Sequence, residues 1–307
     1  MRIFKNRGDI YFSKSNKQKS REQSLLLISL AVIVVFTVIF TAGLGLKYHF
    51  SAKEFFAPDE EVTVTQNIAD DDYLVLPEVS GKTNFIFTVT KEGELLFAGM
   101  LQADMDNVAY KTTLIKPQTV CDGESLAEIY RMSGINGVQA ALEQMFTTTF
   151  DFYVDIDKKS FESLYDDMSD VSFPIVNEIN YKDESSAVEY SVKMKAGEQK
   201  INGGDFVNLI RYYLDNDMCQ AAGDLMLSSL QQHINPEFNE EKDELFTQLV
   251  SNSTTNITVR DFSIAESAFI VLTNEKVGVG VYNAYAEYSE NEITDSSVRN
   301  VRGYYSK

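Results

Sequence analysis

The side chains able to do chemistry are few, or too abundant to be informative, in this sequence. His49 and His233 are its two histidines. Neither has a partner at ligand spacing, which argues against a histidine-based metal centre and against a serine–histidine relay. The 46 acidic residues offer so many pairs that none marks a glycoside-cleaving couple. The triplets Asp59-Glu60-Glu61 and Asp70-Asp71-Asp72 lack the interrupted spacing of a calcium loop, so they read as solvating charge. Gly278 and Gly280 alternate inside a strand-like run and do not precede a helix, as a phosphate-cradling loop requires. Tyr282, Tyr285 and Tyr288 follow the spacing of a strand turning into coil and read as cover for a sheet edge, with stacking on sugars as the alternative.

The elements that must position any site come from a chain of 307 residues, 44% apolar and 12% aromatic, enough to bury a core. Its 27 Lys and Arg against 46 Asp and Glu leave a net charge of −19, which excludes nucleic acid as a partner. That charge is unevenly divided. Leu25 to Leu46 is an uncharged run of 22 residues, about 33 Å as a helix, and is expected to span a bilayer. Residues 1–24 carry +5 and the remainder −24, which places the short basic tail in the cytoplasm and the acidic part outside a cell membrane. Residues 47–82, with Pro58, Pro77 and both acidic triplets, read as a stalk.

A folded domain is expected over 83–288. NFIFTVT, LLFAGMLQAD and AYKTTLIK read as a three-stranded meander, with Lys91 to Glu94 as a tight turn. After Asp122-Gly123 the apolar period becomes helical through GVQAALEQMF. Strand FDFYVDI, helix SFESLYDDM, and strands VSFPIV and EYSVKMKAG follow. Asn202 then caps a helix, and helices continue to about Val250. AFIVLT and VGVGVYNAYAEY read as strands, and the polar tail 289–307 is expected to fray. Strands alternating with helices imply an α/β architecture.

From about Asn84 to Thr273 the order of segments resembles the LytR-CpsA-Psr family of cell-envelope proteins. The likeness rests on FDFYVDIDKKSFESLYDDM, VKMKAGEQKINGGDFVNLIRYY and STTNITVRDFSIA. It implies a central mixed sheet flanked by helices and preceded by one transmembrane helix. It also implies an apolar cavity for a polyprenyl pyrophosphate carrier, with arginines, aspartates and magnesium at its mouth. The implied activity is transfer of an anionic glycopolymer onto peptidoglycan, for which fixed cations must grip a diphosphate as charge builds on the leaving oxygen.

The departures are concentrated at that mouth. The family's long loop after the first strand is reduced to Thr90-Lys91-Glu92-Gly93-Glu94, and its Pro-Arg-Asp becomes Pro117-Gln118-Thr119. Of an Arg-x-Arg pair Arg211 remains, with Tyr213 in the second place, and Asp217-Met218-Cys219-Gln220 lacks a further arginine. Arg211 is thus the one phosphate-binding candidate carried over, with Asn202 and Gly203 as structural matches. The same alignment brings Cys121 and Cys219 to the mouth and suggests a disulfide between them, with two separate buried thiols as the alternative. The reading is a membrane-anchored envelope protein that has lost catalysis and acts in binding or assembly. Its partners would be a polyprenyl lipid, a cell-wall glycopolymer or other envelope proteins. An active phosphotransferase and a sensory ectodomain are the alternatives.

Overall fold

The three apolar runs that open the domain fold as the expected meander, β1 (Lys82–Lys91), β2 (Glu94–Asp104) and β3 (Ala109–Ile115), in a computed structural model that describes residues 76–184 and 186–306. Glu92 and Gly93 both take positive φ, so pairing runs to Lys91 opposite Glu94 with two residues in the turn. That geometry matches the twist of the two strands. The short ribbon β4 (Val120–Cys121) and β5 (Glu124–Ser125) leads into α1 (Leu126–Phe146), capped reciprocally by Ser125 and Glu128.

Next come β6 (Phe152–Asp157), α2 (Lys158–Asp167), β7 (Val171–Ile175), β8 (Ile179–Asp183), β9 (Tyr190–Met194) and β10 (Gly197–Ile201). Three helices follow, α3 (Gly203–Asp215), α4 (Cys219–His233) and α5 (Pro236–Asn252). The chain ends through β11 (Ser253–Thr255), α6 (Val259–Ile264), α7 (Glu266–Leu272), β12 (Gly280–Asn283), β13 (Tyr288–Ser289), β14 (Glu292–Ile293) and α8 (Asp295–Ser306).

The central sheet has the order β11-β6-β1-β2-β3-β12. It is mixed: β6 lies parallel to β1 and β12 parallel to β3, with the other pairs antiparallel. One face, with Val89, Phe97 and Leu114, packs on Tyr165 of α2, Phe206 and Ile210 of α3 and Leu225 of α4. The opposite face, with Ile86, Met100 and Ile115, packs on Leu142 and Phe146 of α1 and Val301 and Tyr305 of α8. A third cluster joins Met105 and Tyr110 to Val271 and Leu272 of α7.

Three expectations change. AFIVLT lies within helix α7 and the turn that ends it, because a short apolar run satisfies either period and this one packs a single side on the third cluster. The tail does not fray. Its helix α8 is held because the Lys111 ammonium donates to the Tyr304 carbonyl at 3.3 Å and the Gln102 amide to the Tyr305 carbonyl at 3.0 Å, pairing carbonyls a helix end leaves open. The last residues assigned to the stalk also belong to the fold, since Leu76 and Val79 pack on the third cluster. The expected bilayer-spanning segment and His49 lie outside the described residues, among which no helix is long and apolar enough to cross a membrane.

Lys111 also binds Asp104 at 2.8 Å, and the Asp104 side chain has no exposed surface. Burial alone would raise this carboxyl's pKa, but the bonds from Lys111 and Asn107 outweigh it and hold the group below its ordinary value. Because the folded value is depressed, the stability it supplies is present above about pH 4 and lost as pH falls through that value. Lys111→Met should lower the unfolding free energy by about 3–5 kcal/mol in a denaturant titration, with part recovered when Asp104→Asn is added.

Candidate functional site

The residues singled out in the sequence lie around α3, with Asn202 and Gly203 at its start and Arg211 near its end, before the turn into α4. Asn202 caps α3 by accepting the Asp205 N–H at 2.8 Å. Gly203 is required by close approach, since a Cβ there would lie 2.7 Å from the Glu162 carbonyl oxygen of α2. Its N–H donates to Asp166 at 2.7 Å. This pair therefore docks α3 on α2 and points the far end of α3 toward the segment after β3.

Arg211 is 5% exposed. One of its terminal nitrogens donates to the Val188 carbonyl at 2.7 Å and to the Ser186 hydroxyl at 3.3 Å, while the guanidinium lies 3.8 Å from the centre of the Tyr190 ring. The other terminal nitrogen is buried without a hydrogen-bond partner. Burial draws the guanidinium pKa down, against the pull of Tyr190, Asp215 and Asp183. The Tyr190 hydroxyl donates to Asp215 at 2.6 Å, and Asp215 also accepts from Gln118 at 3.3 Å. Arg211 thus bonds the end of α3 to the segment around Val188 and to Tyr190 of β9.

Sequence reasoning missed Lys116 as a site residue. Its ammonium donates to Asp217 and to the Glu290 carbonyl, each at 2.8 Å, and sits 4.2 Å from the centre of the Tyr288 ring. The lysine side chain is 6% exposed and that of Asp217 60%. Its signal was legible: a lysine directly after a strongly apolar strand has to find a partner for its charge. Tyr288 is fastened below it, with its hydroxyl 3.0 Å from that of Thr119, so this tyrosine belongs to the site and not to a sheet edge. Beside these residues opens a concavity of about 510 Å³, lined among others by Asp217, Cys219, Asp224, Tyr285, Glu287 and Tyr288. Its three carboxylates would repel an anionic head group.

The resemblance implies magnesium here. Among the described residues no group of three or more His, Cys, Asp or Glu side chains could share a metal ion. Asp215 and Asp217 are engaged by Tyr190 and Lys116, so the residues present do not fit that ion. His233 is a packing residue, with one ring nitrogen 3.0 Å from the Ser169 carbonyl and the other 3.3 Å from the Ser229 hydroxyl. Burial lowers its pKa.

Cys121 and Cys219, expected as a bridged pair, are two free, buried thiols. They belong to the clusters on opposite faces of the sheet, and Tyr288 packs against both. Burial pushes each thiol up to about 11, with Asp122 adding to the effect at Cys121 and Asp217 at Cys219. Because the folded values are raised above about 9, the stability gained by keeping the thiols protonated is present below that pH and lost as pH rises toward 11. Thermal unfolding midpoints should therefore fall across this interval, less steeply in Cys121→Ala. At pH 7.5 both thiols should react with a disulfide reagent at least about 100-fold more slowly in the native protein than in denaturant.

No curated protein matches the chain in sequence. The fold is similar to that of a solved structure from Eubacterium siraeum, at 17% identity over 80% of this chain and 98% of the other, with a TM-score of 0.63. It is also similar to Bacillus subtilis TagV, at 15% identity over 74% and 97% with a TM-score of 0.55. TagT bound to LIIa-WTA aligns at 10% identity over 73% and 89% with a TM-score of 0.53. Residues 112–294 match the LytR_cpsA_psr family, spanning the segment after β2 through Lys116, Arg211 and the turn into α4 to β14. The chain belongs to the LytR_cpsA_psr family.

Proposed function

We propose that this chain is a membrane-anchored, extracytoplasmic member of its family that holds a cell-wall glycopolymer, or helps assemble the machinery handling one, without catalysing its transfer. The uncharged segment Leu25–Leu46 behind a +5 tail supports the anchor and its orientation. The structural likeness to TagT bound to LIIa-WTA supports a glycopolymer of the teichoic-acid type as ligand, met through its sugars and not through phosphates placed against the carboxylates of the concavity.

The observation that carries the loss of catalysis is the state of Arg211. A guanidinium that is to stabilise a leaving diphosphate must present its donors to the reacting oxygens. Here they face the Val188 carbonyl, Ser186 and the Tyr190 ring. Lys116 is likewise neutralised by Asp217, and the two-residue turn at Glu92-Gly93 leaves no room for the metal-binding and phosphate-binding loop of the family pattern. The layer between the sheet and α2 to α4 is occupied by Phe97, Phe206, Ile210 and their neighbours, which favours contact with the sugar polymer over uptake of a polyprenyl chain.

The full chain, purified in detergent and mixed with a polyprenyl-linked anionic glycopolymer and peptidoglycan, should retain polymer on a pull-down and yield no peptidoglycan-linked product. Multiple-turnover transfer would overturn the loss of catalysis. Failure to retain polymer would overturn the binding role.

A further inference from the structure

The concavity beside Lys116 carries side chains that the fold itself does not use. Tyr285 is 40% exposed and Met218 44%. Among the described residues, the side chains of Tyr285, Gln220, Asp224 and Glu287, all lining the concavity, make no hydrogen bond, ion pair or ring contact. The backbone that carries them is nevertheless fastened on both sides. The Glu287 N–H donates to the Ser297 hydroxyl at 2.9 Å, that hydroxyl donates to the Tyr285 carbonyl at 3.3 Å, and the Thr294 N–H donates to the Glu287 carbonyl at 2.9 Å. These bonds tie segment 285–287 to the first turn of α8, where Ser297 is buried. Opposite stands the first turn of α4, which begins at Cys219 with Met218 as N-cap and no side-chain cap, so its leading N–H groups stay open.

We propose that this concavity is a subsite for a neutral pyranose ring of the glycopolymer. The inference rests on the binding role proposed above and gives that role a place. Three features select a sugar ring over the charged groups such a polymer carries. A sugar hydroxyl both donates and accepts, and the concavity offers partners of both kinds: carboxylates and the Gln220 carbonyl to accept, the Gln220 amide and the open N–H groups of α4 to donate. One face of a pyranose presents C–H groups, which pack on a free tyrosine ring and a thioether such as Tyr285 and Met218 supply. Phosphate is repelled by Asp217, Asp224 and Glu287, whereas an ammonium group would leave the amide and N–H donors unpaired. The volume of about 510 Å³ falls within the range of about 300–1,000 Å³ usual for small-ligand pockets.

The full chain in detergent should retain a polyprenyl-linked anionic glycopolymer on a pull-down, and the neutral disaccharide diacetylchitobiose should displace it. Tyr285→Ala and the double variant Asp224→Asn with Glu287→Gln should each weaken retention about tenfold. Their thermal midpoints should stay within about 2 °C of the parent, because these side chains bond nothing in the fold. Tyr282→Ala, exposed on β12 and outside the concavity, should retain polymer like the parent. Stronger retention by the double variant would show that phosphates are what the concavity meets and would overturn the proposal. Displacement by glucosamine but not by diacetylchitobiose would assign the site to an ammonium group and overturn it as well. Retention unchanged in both variants would overturn the subsite and leave the binding role standing. A parent chain that retains no polymer would overturn the binding role and the subsite together.

Discussion

Both faces of the central strands β1 to β3 are covered, so the polar side chains they bury are paired within the protein, the Thr112 hydroxyl excepted. This constraint organises much of the molecule. Asp104, Lys111 and Gln102 form a buried chain that reaches Asn84 on one side and the last carbonyls of α8 on the other. Thr88 donates to Asp155 at 2.7 Å, and Tyr130 of α1 donates to the same carboxylate at 2.8 Å. Thr113 lies 3.2 Å from the Tyr305 hydroxyl. The terminal helix is therefore part of the solution to the burial of β2 and β3. Arg302, on the same helix, closes the end of α1 by donating to the carbonyls of Met145 and Phe146.

The same constraint shapes the site. Lys116 directly follows the wholly buried strand β3 and pairs with Asp217 in the turn between α3 and α4. Arg211, on the inner side of α3, is covered by the segment around Val188 and by Tyr190 of β9. A phosphate-transfer site needs its cations uncommitted and exposed to substrate, whereas here they bond elements together. The fold of the family is kept, and Lys116 and Arg211 each bond one element to another.

Much of the fold was legible because its signals are local. The tight turn at Glu92-Gly93, the alternation along β1, and the cap at Asn202 each depend on residues within a few positions. The misread segments are those whose apolar pattern fits two periods or whose partners are remote. AFIVLT could be strand or helix until the third cluster chose one side of it. The last helix looked like a polar tail because the residues that hold it lie almost two hundred positions earlier. Strands β8 and β10 escaped notice because each is short and half-polar and gains its identity only from pairing with β9 and β7.

The sequence by itself determined the meander, the tight turn at Glu92-Gly93 and the cap at Asn202, since each follows from residue type and near neighbours. It also determined the division of charge around the uncharged segment Leu25–Leu46. Only the tertiary structure decided what the remaining cations do. Lys116 meets its carboxylate 101 positions away and Arg211 its carbonyl 23 away, and whether a cation binds substrate or locks a fold depends on which oxygen reaches it first. Tertiary structure likewise left Cys121 and Cys219 as free, buried thiols, one in each of the two clusters against which Tyr288 packs.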